Sequence, residues 1–292
     1  MSRRQQDHET FTQEARLERA RGILRLCSTL LSLCLLVSAG CATVGESGRN
    51  DADAAATLEV RAAARLLDDW VARVALLPLG TAVRQQMIGP DPDAKVIDYL
   101  AAMLAAMPQE DVYGIYLAFE NRKWSEPLAM PWVDRKGWPK ATIVGYDYHD
   151  PKQEWYNGPK RTGHPYVTEP YFDDGGSNIT MVSVTRPIRD AGGRFIGVAG
   201  ADLSLQDISR RVRPSRGEIY LVSRAGRVIA HPDARFIPRK GYTGEALKNL
   251  AGGAEVAAQP WGAANVTAGD ASRRLVWTTA RLTGWKVVLI VP

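Results

Sequence analysis

The spacing of apolar residues changes once along this chain, and that change restricts the fold more than any other feature. Leu58, Ala62, Leu66, Trp70, Val74 and Leu77 recur at helical spacing, with Asp51 and Asp53 suited to the N-terminal end and Pro78 placed to stop the run. Asp91-Pro92-Asp93 marks the start of a second helix, which carries Val96, Ile97, Leu100, Met103, Leu104 and Met107 before Pro108. From Val112 the pattern becomes one of short strands. Val112 to Phe119, Ile179 to Ile188 and Phe195 to Ala201 are the clearest, and Asp190-Ala191-Gly192-Gly193 gives a hairpin turn. Ser204 with Asp207 reads as a cap for a short connecting helix over Leu205 to Val212. A second strand set follows: Ile219 to Ser223, Val228 to His231, Leu275 to Arg281 and Lys286 to Val291, with a helical stretch near Gly244 to Leu250. The expected class is α+β: a long N-terminal helix over 54–78, then two modules, 79–205 and 206–292, each an antiparallel sheet with flanking helices.

The N-terminus carries a separate signal. Ser28 to Ala39 is apolar and uncharged, follows Arg21 and Arg25, and is short for a bilayer span, which makes it a secretory h-region. It runs into Leu36-Val37-Ser38-Ala39-Gly40-Cys41, which resembles the lipobox of bacterial lipoproteins. That resemblance implies a signal peptide over 1–41, lipidation of Cys41 and a polar tether over 42–53, or alternatively an uncleaved anchor. Attachment through several acyl chains is essentially permanent. Ala42 stands where retention at the inner membrane uses Asp, so the expected location is the periplasmic side of the envelope, with the outer membrane favoured.

Several function classes are excluded. All three cysteines lie within the first 41 residues, which removes disulfides and thiolate metal clusters from the folded part. Beyond residue 40 there remain 31 basic and 28 acidic residues, an excess of +3 spread along the chain, which is no nucleic-acid footprint. His149, His164 and His231 show no ligand spacing, so no metal is expected. There is no G-x-S-x-G, and no phosphate loop, because no helix follows the glycines at 192–200 at the required place. No catalytic constellation or cofactor motif is found, and the expectation is a non-enzyme.

Five stretches carry a family resemblance. Tyr148-His149-Asp150-Pro151-Lys152-Gln153-Glu154-Trp155-Tyr156, then Val167 to Asp173, then Arg186-Pro187-Ile188 through Asp202-Leu203-Ser204-Leu205, resemble the ligand-binding module of double-Cache (tandem PAS-like, PDC) sensors in order and spacing. Ala225 to Asp233 and Gly284-Trp285 to Pro292 resemble the membrane-proximal module of the same family. In amino-acid-binding members a Tyr, an Arg five residues later, a Trp-Tyr pair and a distant Asp line the pocket. Tyr148, Trp155, Tyr156 and Asp202 fall on that pattern, and the Arg position holds Gln153. A guanidinium grips a carboxylate through two parallel charge-assisted bonds and an amide does not, so the departure argues against ordinary α-amino acids. Asp202 still accepts from an ammonium, the faces of Trp155, Tyr156 and Tyr171 suit a cation, and Glu154 or Asp173 supplies a second acceptor.

The candidate ligand-binding set is therefore Tyr148, Gln153, Trp155, Tyr156, Tyr171, Asp173 and Asp202, for an amine, an amino-acid-like molecule or another nitrogenous metabolite. Each has a plainer reading: Trp155 and Tyr156 as core aromatics, Asp173-Asp174-Gly175-Gly176 as a turn, Asp202 as a polar residue ending a strand. Most Cache sensors continue through a second membrane helix, whereas this sequence ends at Pro292, so the expectation is a lipid-anchored sensor that passes its signal to a separate membrane protein. The alternative is an envelope structural or assembly lipoprotein with a degenerate Cache fold. The apolar edges of the first helix also permit a homodimer.

Overall fold

The structure is a computed structural model and describes residues 51–93, 95–135, 145–212, 214 and 217–291. The expected signal peptide, lipobox and Cys41, and the tether up to residue 50, lie outside the described residues. Among the described residues no helix is long and apolar enough to cross a membrane.

The opening helix α1 spans 51–74 and is followed, after a turn at Ala75, by α2 (Leu76–Ile88). Pro78 does not end the helical run as expected. The break falls at Ala75, and Pro78 occupies the first turn of α2, where its missing N–H would have had no partner within that helix. The buried stripe also differs from the one read off the sequence. Ala56, Val60, Ala64, Leu67, Trp70, Val71 and Val74 face the core, while Leu58 and Leu66 are 64% and 63% exposed. Both edges of the helix are apolar, and periodicity alone does not say which one the sheets cover.

α3 (Val96–Ala105) follows, and Asp93 accepts from the Lys95 N–H at 2.9 Å just ahead of it. The first sheet has the order β2-β1-β6-β5-β3, with β4 also on β5. Its strands are β1 (Gly114–Phe119), β2 (Trp132–Asp134), β3 (Tyr166–Val167), β4 (Tyr171–Phe172), β5 (Thr180–Arg189) and β6 (Phe195–Ser204), every pair antiparallel. The expected turn between β5 and β6 is present: Asp190 caps it, accepting from the Gly192 and Arg194 N–H groups, and Gly193 takes φ 82°. Between β2 and β3 lies α4 (Glu154–Thr162), with Glu154 in its first turn, Lys160 and Arg161 in its last, and Gly163 closing it at φ 71°.

β6 leads into α5 (Leu205–Arg211) through the expected cap, the Asp207 N–H donating to Ser204 Oγ at 3.1 Å. The second sheet has the order β8-β7-β11-β10-β9, from β7 (Glu218–Val222), β8 (Val228–Ala230), β9 (Trp261–Ala268), β10 (Ala271–Thr279) and β11 (Lys286–Val291). The helical stretch expected near 244–250 is a single 3₁₀ turn, Leu247–Asn249, followed by the short helix α6 (Gly253–Ala258). β9 had no signal in the sequence, because its small and polar residues face solvent at the sheet edge. The fold class is the expected one, a long helix and two antiparallel sheets with helices against them.

Alternation along the strands sorts each sheet into two faces. Ile115, Leu117 and Phe119 of β1, Val182, Val184 and Ile188 of β5, and Ala199, Ala201 and Leu203 of β6 join the core that contains α1 to α3. The same core takes Ile219 and Leu221 of β7 and Val287 and Leu289 of β11, so α1 serves both sheets. Asp68 of α1 accepts the Arg281 and Leu282 N–H groups at 2.8 and 2.9 Å, and the Trp70 indole donates to the Asp111 carbonyl at 2.9 Å beneath the Arg211 guanidinium.

Two adjacent leucines test this orientation. Leu67→Ala removes a side chain that is 1% exposed and should cost about 2–5 kcal/mol in urea unfolding. Leu66→Ala on the outer edge should stay within about 0.5 kcal/mol. Equal costs would place the wrong edge against the sheets.

Candidate ligand site on the first sheet

The other face of the first sheet carries polar and aromatic residues where the helix-covered face carries aliphatic ones. Register places Asp134 opposite Gly114, Gly114 opposite Asp202, and Asp202 opposite Ser183, so these four lie in one row across β2, β1, β6 and β5. The next row reads Trp132, Tyr116, Gly200 and Thr185. Both rows contain a glycine where a side chain would fill the floor. A Cβ on Gly114 would stand 2.9 Å from Trp132 Nε1, and one on Gly200 would overlap the Tyr116 ring. Gly114 thus makes room for the Trp132 indole between two carboxylates, and Gly200 makes room for the Tyr116 ring against the sheet.

Asp202 sits at the centre of this face, 4% exposed. Its Oδ1 accepts from Ser183 Oγ at 2.6 Å, and Ser183 Oγ lies 2.8 Å from the Tyr171 hydroxyl. With Asp202 ionised, Ser183 must donate to it, so Tyr171 donates to Ser183 and the three form a directed chain. Burial raises the Asp202 pKa well above the ordinary carboxylate range. Ser183 lowers it in part, and Asp173 and Asp134 raise it further. Among the described residues the charges that act on Asp202 are thus of its own sign. Asp173, 8% exposed, accepts from the Tyr146 hydroxyl at 2.9 Å and from the Ser177 N–H at 2.6 Å. Tyr113 donates weakly to Asp134 at 3.4 Å, and burial, followed by Asp134, raises its pKa, with Asp202 and Asp173 adding smaller effects. Among the described residues no three His, Cys, Asp or Glu side chains gather closely enough to hold a metal ion.

Aromatic side chains wall the carboxylates. Tyr116 meets Trp155 edge-on at 4.9 Å, and Trp132, Tyr146 and Tyr171 belong to the same cluster. The Tyr116 hydroxyl, Trp132 Nε1 and Trp155 Nε1 are buried and have no hydrogen-bond partner among the described residues. Orphaned donors of this kind cost about 1–3 kcal/mol each, a cost normally removed by water or a ligand.

The structure brings Trp155, Tyr171, Asp173 and Asp202 of the sequence set to this face and gives the other three different surroundings. The Tyr148 hydroxyl donates to the Phe119 and Ala129 carbonyls at 2.7 and 3.2 Å, so its polar end is spent on the backbone. The Tyr156 hydroxyl donates to Glu120, which also pairs with Lys160 at 2.6 Å. Gln153 is the N-cap of α4, and its carbonyl accepts from the Tyr156 and Asn157 N–H groups. Glu154 pairs with Arg161 at 3.3 Å on the exposed side of α4. Sequence reading missed Tyr113, Tyr116, Trp132, Asp134, Tyr146 and Ser183. The alternation of Gly114-Ile115-Tyr116 and of Val182-Ser183-Val184 carried a signal for two of them.

Residues 99–210 match the family of methyl-accepting chemotaxis protein-like first PDC sensor domains. The chain also superposes on a solved structure named methyl-accepting chemotaxis protein X at TM-score 0.68 and 22% identity, covering 84% of this chain and 99% of that one. The chain therefore has the fold of the two-module Cache (PDC) domains, and its residues 99–210 match the first such module in sequence. The ligand-binding domain of the Pseudomonas aeruginosa amino acid chemoreceptor PctC, solved with GABA, shares the double-Cache fold at TM-score 0.60 and 20% identity, covering 82% of this chain and 100% of that one. In sequence, the domain is 33% identical over 91 residues to the Pseudomonas aeruginosa methyl-accepting chemotaxis protein PctB, which is 30% of this chain and 14% of that receptor. The chain thus spans about a seventh of the length of the first curated relatives it matches.

The raised pKa of Asp202 sets a sign for stability. The folded, ligand-free domain holds the Asp202 proton more tightly than the unfolded chain, so this group's contribution is fully present below the ordinary carboxylate range. It is lost as pH rises from there through the folded-state value. Asp202→Asn should therefore raise the melting temperature at pH 7.5, with the gain narrowing toward pH 4. A variant that melts below the wild type at pH 7.5 would show the charge to be compensated within the protein.

Proposed function

We propose that this chain is an extracytoplasmic small-molecule sensor whose first module binds an organic cation carrying an amine. The observation that supports the ligand class is the placement of Asp202 and Asp173, with Asp134, behind aromatic walls, with only charges of their own sign acting on Asp202 among the described residues. An ammonium group relieves that repulsion, and ring faces stabilise a cation by about 0.5–2 kcal/mol. The spread of the carboxylates along one row suits an extended organic cation better than a metal ion. The orphaned Tyr116, Trp132 and Trp155 donors ask for an acceptor atom on the same molecule, which favours an amine that also bears a ring nitrogen, carbonyl or carboxylate. Amino acids are the ligands named for neighbours such as PctC, with GABA, and PctB, with L-Arg. In this chain Gln153 replaces the guanidinium that would hold an α-carboxylate, which shifts the preference toward the amine end.

Transmission from this site has a path through the segment that carries Tyr171 and Asp173. Asp174 pairs with Lys240 of the second module at 2.9 Å, Glu169 accepts from the Ala225 N–H at 3.2 Å, and Arg224 donates to the Val167 carbonyl. A ligand that repositions Tyr171 or Asp173 acts on these contacts directly. The lipobox-like Leu36 to Cys41 supports attachment to the periplasmic face of a membrane, from which a separate membrane protein takes up the signal. The exposed Leu58, Leu66 and Leu76 along α1 and the start of α2 support a homodimer on that edge.

Thermal-shift screening of the purified chain against amines, amino acids, polyamines, purines and organic acids tests the ligand class. A ligand at 100 times its dissociation constant adds about 2.7 kcal/mol of stability. The expected hits are amines, with the shift abolished in Asp202→Ala. Hits confined to uncharged or anionic compounds, or no hits with a folded protein, would contradict the reading.

A further inference from the structure

The second sheet has a cavity of its own. It measures about 200 Å³ and lies on the face away from α1, between β7, β10 and β11 and the segments around Phe236 and Leu250. Tyr220 lines it, is 2% exposed, and holds its hydroxyl buried without a hydrogen-bond partner. Burial pushes the Tyr220 pKa up, so the hydroxyl stays protonated and can donate. His231 lines the same cavity, its ring centroid 5.5 Å from that of Tyr220. Its Nδ1 accepts from the Asp233 N–H at 2.8 Å, which puts the proton of the neutral ring on Nε2. Burial lowers the His231 pKa, so the ring is neutral at pH 7. The polar side chains inside the cavity are therefore two neutral donors, and the remaining walls, Leu250 and Leu275 among them, are apolar.

Two exposed charges stand at the rim, Arg273 and Glu218. Arg273 brings a planar donor fork to the mouth, matched to a carboxylate. Glu218 disfavours a second negative charge on the same ligand. A water molecule occupies about 30 Å³ of liquid, so the cavity holds roughly six or seven groups of that size. We infer that this cavity is a second ligand site, separate from the amine site, and that it takes a small monocarboxylate of roughly two to four carbons. The carboxylate meets the Tyr220 hydroxyl and His231 Nε2–H, Arg273 closes over it, and the hydrocarbon end lies against Leu250 and Leu275.

Calorimetric titration of the full chain with sodium acetate, propionate and butyrate, at matched ionic strength, tests the inference. Saturable binding of these acids is expected, weakened at least tenfold in both Tyr220→Phe and Arg273→Gln and unchanged in Asp202→Asn. Tyr220→Phe removes a single oxygen, and Arg273 is exposed, so at least one of the two variants should keep the wild-type melting temperature. Absence of saturable binding in the folded chain would leave the cavity to water and overturn the site. Binding indifferent to the folded variants would overturn it equally. Because Asp202→Asn disables only the first module, loss of the amine reading leaves this result intact.

Discussion

A carboxylate held out of water in the middle of a sheet is the constraint on which this domain turns. Desolvation disfavours the charged form of Asp202, and the nearby Asp173 and Asp134 add to the penalty. Ser183 and Tyr171 offset part of it through their directed chain of hydroxyls. Under the proposed function, the remainder is the free energy that a cation would recover on entering. On that proposal, ligand affinity and a stability cost in the ligand-free domain would be two sides of one arrangement, as is common where a protein holds a group ready for a partner.

The rest of the first module positions that carboxylate. α1 to α3 cover one face of the sheet with aliphatic packing, which leaves the opposite face available for polar groups. Two glycines, Gly114 and Gly200, make room for the Trp132 indole between Asp134 and Asp202 and for the Tyr116 ring. α4 closes the side with Trp155, and Gly158 within it makes room for Tyr166, whose ring a Cβ there would meet at 2.7 Å. The second module repeats the plan on a smaller scale, with Tyr220 and His231 on the face away from the shared helix.

The architecture was legible because strand alternation and helix caps are local. The hairpin at Asp190 to Gly193 and the Ser204 cap of α5 need only neighbours in sequence. The edge of α1 that packs inward was not legible, since Leu66 and Leu67 are equally apolar and only the sheets choose between them. α4 was hidden by Gly158 and Pro159 at its centre, which read as a breaker although tertiary contacts hold the turn. In the candidate site, Trp155, Tyr171, Asp173 and Asp202 came from family order. Asp134 and Trp132 were invisible because a row across antiparallel strands joins residues about 70 positions apart, and no local pattern encodes that register. Tyr148 and Tyr156 fit the family order, yet the protein consumes their hydroxyls, a distinction that only hydrogen-bond geometry makes.

The central claim is that Asp202 carries a desolvated carboxyl poised for a cation, and carboxyl ¹³C NMR measures it directly. With aspartate labelled and Asp202 assigned through Asp202→Asn, its titration in the ligand-free chain should lie well above the ordinary carboxylate range, and a bound amine should pull it down. An Asp202 that titrates in the ordinary range without ligand would contradict the account, because no stored penalty would then await a cation.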